Sequence, residues 1–176
     1  MAEDDAPEGG SVPEADPLEK LFRFGLTHRV RHDEIDAQGV VGQARWLDLF
    51  TLARTEYLRN LNITLEGGRA PVQAVVRWTE LEYLAPARFD DKLLLRARVS
   101  QLGERSLTFE LLADDAEHGL RLVVASAVLV CIEVERFRST PWPAAWRGAF
   151  SAFEGARLEL AGAPDADPGA DDRESD

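Results

Sequence analysis

The sequence contains one cysteine, Cys131, so the chain cannot form an internal disulfide. This cysteine and the three histidines show no spacing typical of a zinc site, and we expect neither a metal ion nor an organic cofactor. No apolar run approaches the roughly 20 residues of a membrane span, and the acidic N-terminus lacks the apolar segment of a signal peptide. We therefore expect a cytoplasmic protein without a membrane span.

A basic stripe that would suit nucleic acid is also missing. The formal net charge is -12, and the acidity is concentrated at the two ends of the chain. Residues 1–20 carry seven acids and one lysine, residues 154–176 carry eight acids and two arginines, and residues 21–153 carry seventeen acids and seventeen basic residues. This distribution would repel a nucleic-acid backbone, so we expect no nucleic-acid partner.

Both ends are poor in apolar residues and rich in Ala, Pro, Gly and Asp. Such segments bury too little apolar surface to offset the entropy that is lost when they become ordered. We predict a disordered acidic tail over residues 1–20, a single domain over residues 21–153 and a second disordered acidic tail over residues 154–176. One domain of this size agrees with the length of 176 residues.

The predicted domain begins with a strand from Phe24, and one strongly apolar helix follows. Over residues 43–60, side chains recur at spacings of three and four that are typical of one helical face: Leu47, Phe50, Arg54, Tyr57, Leu58 and Leu61. Trp46, Leu49 and Ala53 make this stripe wider than a surface helix requires. We therefore predict a largely buried helix.

Four later segments alternate with a period of two, which is typical of strands: residues 72–84, 92–102, 105–114 and 120–135. The turns between the last three have hairpin lengths, so these strands should be antiparallel neighbours. The last strand is apolar on both faces, which favours an interior position in the sheet. The segment STPWPAAWRGAF should then pack irregularly or as a short helix. This order predicts an α+β fold in which an antiparallel sheet curls around one helix.

The junction HDEIDAQGVVGQARW joins the first strand to the helix and places a carboxylate near the helix start. A helix start has up to four backbone N–H groups without intrahelical partners and a partial positive charge, so it can stabilise a developing oxyanion. Asp36 lies seven residues before Gln43, and Gly39 and Gly42 allow the backbone to double back. Asp36 would then act as a general base or a nucleophile. Alternatively, Asp36 simply caps a turn, because aspartate is common in turns.

The segment HDEIDAQGVVGQARWLDLFTLARTEYLR resembles the signature of the hotdog-fold acyl-CoA thioesterases, specifically the 4-hydroxybenzoyl-CoA thioesterase and YbgC-like group. The blocks VVRWTELEYLAPARFDDKLLLRARV, RSLTFEL and AVLVCIEVERFRSTPWP follow in the order of that family, over about residues 24–150. The resemblance implies a hotdog fold, hydrolysis of an acyl-CoA or acyl-carrier-protein thioester, and a homodimer or homotetramer with its clefts at subunit interfaces.

Carried onto this sequence, the catalytic aspartate of the family falls on Asp36. The resemblance places the amide that binds the thioester oxygen at Gln43 or a close neighbour, after the turn that contains Gly39 and Gly42. It also implies that basic residues on the outer strand and its turn hold the nucleotide end of the substrate, and the candidates are Arg105 beside Ser106 and then Arg88. A solvated surface side chain is the alternative for each arginine. The remaining substrate-binding candidates are Gly39, Gly42 and Arg45.

The sequence departs from the family at positions close to the expected chemistry. His32, Gln43, Arg45 and Thr51 stand where the family has tyrosine, histidine, asparagine and a helix glutamate. A glutamine cannot shuttle a proton near neutral pH. His32, interpreted as a strand residue that points into the cleft, would supply a titratable imidazole, and a strand histidine without a catalytic role is the alternative.

Two other functions agree with part of the pattern. A hotdog-fold protein that binds acyl-CoA with little or no hydrolysis would explain the replaced residues. A dehydratase would require a catalytic histidine on the helix, and the helix has none. Of the remaining polar residues, we interpret Asp33, Glu34, His28 and His118 as surface groups and Cys131 as a small buried apolar residue.

Overall fold

The computed structural model describes residues 18–63 and 72–160. These residues form seven strands and two α-helices: β1 (Phe24–Arg29), α1 (Gln43–Asn60), β2 (Val72–Tyr83), β3 (Lys92–Leu102), β4 (Ser106–Asp115), β5 (Arg121–Glu133), β6 (Arg138–Ser139), α2 (Ala144–Glu154) and β7 (Glu159–Leu160). Short 3-10 turns cover Glu19–Leu21, His32–Glu34 and Gly155–Arg157.

The five longer strands form one antiparallel sheet in the order β1-β3-β4-β5-β2. The two predicted hairpins, β3 with β4 and β4 with β5, are confirmed. Strand β5 lies between β4 and β2, the interior position that its apolar faces predicted. Strand β6 pairs with β5, and β7 runs parallel to the last residues of β3.

Helix α1 packs across the inner face of the sheet. Its buried side chains include Trp46, Phe50 and Tyr57, and they meet alternate residues of the central strands, such as Leu95 and Phe109. The helix predicted over residues 43–60 is confirmed. The prediction that it is largely buried was too broad, because the sheet covers only one face of α1 and leaves Leu47 43% exposed. A curled antiparallel sheet around one long helix is the predicted α+β architecture of the hotdog fold. Neither described helix is long and apolar enough to cross a membrane.

The ordered structure extends beyond residue 153, where the second tail was predicted to begin. That residue lies inside α2, and Glu154 is fully buried because its carboxylate accepts hydrogen bonds from the Tyr57 hydroxyl (2.6 Å) and the Val99 amide (3.1 Å). Strand β7 then pairs with β3, so the domain extends at least to residue 160. At the other end, Glu19 already belongs to a 3-10 turn. The rest of both predicted tails lies outside the described residues.

Candidate active site

The loop between β1 and α1 folds back on itself in a tight turn that begins at Asp36. The Asp36 amide donates to the Val40 carbonyl (2.8 Å), and the Gly39 amide donates to the Asp36 carbonyl (3.0 Å). Gly39 has a φ of 75°, in the left-handed region that glycine adopts without strain. Ile35 and Val41 pair across the base of the turn. The chain therefore returns to the level of Asp36 just before α1 begins.

The Asp36 side chain is exposed and lies against the start of α1. One of its carboxylate oxygens accepts a hydrogen bond from the Gln38 amide at 2.8 Å, so Asp36 does close a turn. The Gln38 side-chain nitrogen, in the orientation that satisfies its hydrogen bonds, donates to both carboxylate oxygens at 2.9 Å. A Cβ added at Gly42 would lie 3.7 Å from the Asp36 Cβ. Asp36 therefore closes a turn and also lies at the start of α1.

The start of α1 leaves backbone amides open beside Asp36. Gly42 is the N-cap residue, and no side chain caps the helix. The first intrahelical bonds run from the Arg45 and Trp46 amides to the Gly42 carbonyl. Among the described residues, no group accepts a hydrogen bond from the amides of Gln43 or Ala44, and both residues are exposed. These donors carry the positive end of the helix dipole, so they can bind a carbonyl oxygen that gains negative charge.

Glu34 anchors the loop, although its sequence position suggested a solvated charge. It is 4% exposed, and its carboxylate accepts hydrogen bonds from the Arg31 amide (2.8 Å) and His28 Nε2 (2.8 Å). Its carbonyl accepts a bond from the Gly42 amide (3.1 Å), which ties the loop to the start of α1. The prediction was wrong because residues 32–34 form a 3-10 turn that directs Glu34 inward.

The electrostatic environment keeps Glu34 ionised. Burial alone would raise the pKa of this carboxyl, but the Arg31 amide, the hydrogen bond and charge of His28 and the charge of Arg31 together hold the pKa below its ordinary value. His28 is consequently a partly buried partner of Glu34, which corrects its interpretation as a surface residue. The local sequence sign was an acid three residues after Arg31, and this carboxylate accepts a hydrogen bond from the Arg31 amide as the third helical residue of a capping box does.

His32 does not occupy the predicted strand position. It begins the 3-10 turn, it is exposed, and its ring meets Phe89 edge to face with 5.8 Å between the centroids. No hydrogen bond joins His32 to Asp36 within residues 18–63 and 72–160. The expected strand continued only to Arg29, because Val30 leaves the β1 ladder to bond with the loop after β2.

Two of the predicted substrate-binding arginines lie close to the Asp36 loop. Arg88 pairs with Val40 across an isolated bridge, and its amide donates to Asp91 Oδ2 at 2.7 Å. Its guanidinium is exposed and has no carboxylate partner in the described part of the chain. Arg45 lies in the first turn of α1 and forms an exposed ion pair with Asp48 at 3.1 Å. Arg88 is therefore the better placed of the two to hold a phosphate.

Arg105 and Ser106 lie at the other end of the sheet. Strand β1 ends at Arg29, which pairs with Lys92 at the start of β3, whereas Arg105 follows the end of β3. The intervening strand spans roughly 30 Å. Arg105 donates to the Ser139 carbonyl at 3.2 Å. Within one chain, the structure therefore does not bring Arg105 or Ser106 to Asp36.

A groove of about 370 Å³ lies on the outer face of the sheet, away from this loop. Glu80, Glu82 and Glu110 line it together with apolar side chains from the N-terminal segment and the sheet. Three carboxylates make it unsuitable for an anionic thioester of coenzyme A. Cys131 is buried, and burial raises the pKa of its thiol to about 11, so it is the inert apolar residue that was predicted. His118 is exposed, as predicted.

Comparison with known sequences agrees with the resemblance. The sequence profile of the thioesterase-like superfamily matches residues 30–150. The acyl-CoA thioesterase YbgC of Haemophilus influenzae is 32% identical over 129 residues, which cover 72% of this chain and 93% of that protein. The acyl-CoA thioester hydrolase YbgC of Escherichia coli is 34% identical over 124 residues, covering 70% of this chain and 90% of that protein.

Solved structures give the same result for the fold. The 1,4-dihydroxy-2-naphthoyl-CoA thioesterase of Synechocystis superposes with a TM-score of 0.68 at 22% identity, over 72% of this chain and 94% of that one. A probable thioesterase of Bartonella henselae superposes with a TM-score of 0.59 at 28% identity, over 68% of this chain and 97% of that one. The chain therefore belongs to the thioesterase-like superfamily and has its hotdog fold.

Proposed function

We propose that this protein hydrolyses acyl-CoA thioesters to a free acid and coenzyme A. The observation that supports this most directly is the position of the Asp36 carboxylate beside Gly42 and the uncapped start of α1. A thioester carbonyl bound there would meet backbone donors on its oxygen and a carboxylate near its carbon. Relatives with acyl-CoA thioesterase names, at 32% and 34% identity, support acyl-CoA rather than an acyl-carrier-protein thioester.

The reaction requires one group that accepts and returns a proton. As general base, Asp36 removes a proton from water while the water oxygen attacks the thioester carbon. The amides of Gln43 and Ala44 stabilise the oxyanion that forms. When the oxyanion collapses, the C–S bond breaks, and Asp36 returns the proton to the departing sulfur. Gln43 orients the substrate or water through its side-chain amide, because it cannot exchange protons near neutral pH.

Asp36 as a nucleophile is the second possible route. Its carboxylate would attack the thioester carbon and release the thiolate, and water would then hydrolyse the resulting anhydride. A single turnover in water enriched in heavy oxygen identifies the nucleophilic route if the Asp36 carboxylate becomes labelled. The nucleophilic route transfers a label into the Asp36 carboxylate if water attacks its carbonyl, whereas the general-base route labels only the product acid.

Arg88 is the best placed candidate for the phosphates of coenzyme A, since its backbone pairs with Val40 of the Asp36 loop and its side chain is exposed. Arg105 and Ser106 would act on the same substrate only if a second copy brought them to it. We therefore include a homodimer or homotetramer in the proposal. The exposed apolar side chains Val76 and Trp78, on the edge strand β2, support such an assembly. The cytoplasm stays the location expected from the sequence.

The experiment is an assay of free thiol over a panel of straight-chain and aromatic acyl-CoA thioesters. Release of thiol that depends on Asp36 supports the proposal. An acyl-CoA-binding protein is the second candidate, because Gln43 replaces a titratable residue and His32 has no hydrogen bond to Asp36 in the described residues. A tight complex without thiol release would favour that function.

A further inference from the structure

Arg54 is a buried cation that has no counter-ion among the described residues. It lies on α1 with 8% of its surface exposed, and its Nη2 donates to the Thr51 hydroxyl at 3.0 Å. No carboxylate within residues 18–63 and 72–160 forms an ion pair with it. Burial holds the pKa of the guanidinium below its ordinary value, because low-dielectric surroundings disfavour the charged form. A buried charge of this kind is normally paired.

Three other buried or half-buried arginines are paired with carboxylates, which is the usual arrangement. Arg98, which is equally buried, binds the Glu110 carboxylate at 2.7 Å. Arg96 and Arg121 share the buried carboxylate of Asp114. Arg54 differs because Thr51, one turn before it, offers a hydroxyl where the family motif has a glutamate. The guanidinium therefore retains N–H donors and a positive charge for another anion.

The position of Arg54 relates it to the proposed reaction site. Eleven residues separate it from Gln43, which is roughly three helical turns, so the two side chains lie on the same line along α1. Leu47 is close to this line and 43% exposed, and Thr51 is exposed as well. Leu47 and Thr51 thus form an exposed strip beside this line, with an apolar residue between the helix start and the arginine.

The hydrogen bond to Thr51 also gives the depth of the cation along the helix. It draws the guanidinium back to the level of residue 51, which is eight residues beyond Gln43. At the rise of an α-helix this separation is about 12 Å. An acyl chain that starts at the helix-start amides and passes Leu47 would bring its far end to Arg54.

We propose that Arg54 and Thr51 form a subsite for a carboxylate at the far end of the acyl group, so that the preferred substrates are CoA thioesters of dicarboxylic acids. This proposal rests on the proposed function, because it assumes a thioester carbonyl at the start of α1. The fork of the guanidinium suits a carboxylate, and a charge-assisted hydrogen bond supplies both affinity and chain-length selection. Leu47 contacts the methylene chain between the two ends.

The test compares dicarboxylic acyl-CoA thioesters with monocarboxylic ones of the same length, over a series of chain lengths. The wild-type protein should prefer the dicarboxylic thioester whose far carboxylate reaches about 12 Å from the thioester carbon, by about tenfold in kcat/KM. In the Thr51→Glu variant the new carboxylate lies three residues before Arg54 and should pair with it. This variant should lose the preference.

Thr55→Glu is the matched control. Both threonines donate their hydroxyls to the carbonyl four residues earlier at 2.8 Å, so both substitutions remove the same kind of bond and add the same charge. Residues 54 and 55 do not face each other on a helix. Thr55→Glu should therefore retain the preference for the dicarboxylic thioester. Arg54→Gln should lose it, and the two glutamate variants decide the proposal if Arg54→Gln fails to fold.

Binding to the Asp36→Asn variant separates this proposal from the proposed function. A dissociation constant about tenfold lower for the dicarboxylic thioester, removed by adding Thr51→Glu, supports the subsite even if no thioester is hydrolysed. Equal kcat/KM and equal affinity for the two substrate types in the wild-type protein would overturn it. A preference that survives Thr51→Glu would overturn it too, and Arg54 would then be a structural cation.

Discussion

Asp36 and Gly42 face each other where the loop meets α1, and a Cβ added at Gly42 would lie 3.7 Å from the Asp36 Cβ. This spacing leaves a small open region bounded by a carboxylate and by the exposed amides of the first helical turn. Glu34 holds the loop against the start of α1, because the Glu34 carbonyl accepts a hydrogen bond from the Gly42 amide. The geometry suits attack on a carbonyl whose oxygen points at the helix.

The two glycines of this loop should respond differently to substitution by alanine. Gly39 has a φ of 75°, so Gly39→Ala should lower the free energy of unfolding by about 1–2 kcal/mol. Gly42 has ordinary extended backbone, and its added Cβ would make normal contacts, so Gly42→Ala should lose only the preference for glycine over alanine at an N-cap, about 0.5 kcal/mol. Urea denaturation of both variants measures the difference. Equal losses of stability in the two variants would contradict a left-handed backbone at Gly39.

Glu34→Gln should destabilise the domain by about 1–3 kcal/mol at neutral pH, because the buried charge-assisted bonds to His28 and Arg31 are lost. The folded-state pKa of Glu34 is lowered, so its contribution to stability is present above the ordinary carboxyl pKa of 4.5 and is lost as the pH falls through the lower folded value. Urea denaturation at neutral and acidic pH should therefore show a smaller acid-induced loss in Glu34→Gln. If the free energy of unfolding falls in parallel with pH in the wild-type protein and in Glu34→Gln, a lowered pKa of Glu34 is contradicted.

Glu154 should give a dependence of stability on pH that is opposite to that of Glu34. Burial is the main cause that raises the pKa of its carboxyl, and the carboxylate oxygen Oε2 is buried without a hydrogen-bond partner in the described residues. The stability that it contributes is fully present below the ordinary pKa of 4.5 and is lost as the pH rises through the higher folded value. In Glu154→Gln this decline should disappear. Thermal or urea unfolding of both proteins, measured at a series of pH values from the ordinary pKa upwards, checks this expectation. The same decline of stability with pH in the wild-type protein and in Glu154→Gln would exclude a raised pKa for Glu154.

His32→Ala should change kcat/KM by less than about tenfold, well below the factor of about a hundred or more expected for a general base. The ring is exposed, contacts Phe89 and has no hydrogen bond to Asp36 in the described residues. A pH–rate profile with and without His32 gives a second readout. If the variant loses a titration step near neutral pH together with most of its activity, His32 does take part in the reaction.

The order of the elements was predictable because period and spacing determine them locally. The α1 pattern repeats over 18 residues, and its bounds at Gln43 and Asn60 agree with the prediction. The C-terminal boundary was not predictable from composition, because Glu154 is buried through partners on α1 and β3. An acidic residue in an acidic segment gives no local sign of such contacts.

The candidate site also contains residues that the sequence could place and residues that it could not. Asp36, Gly39 and Gly42 could be placed from the motif, since a turn before a helix brings them together. Glu34 could not, because its burial results from a 3-10 turn and a bond to His28. Arg105 was grouped with Asp36 by resemblance alone, and the length of β3 separates them within one chain.

The most direct test of the central claim is thiol release by Asp36→Asn with the best substrate of the acyl-CoA panel. Asparagine retains an oxygen that can accept the Gln38 amide, so the turn should persist, and circular dichroism verifies the fold. The variant can neither accept a proton nor attack the thioester, so kcat should fall by at least about a hundredfold while the substrate still binds. Undiminished thiol release by a folded Asp36→Asn protein would contradict the account.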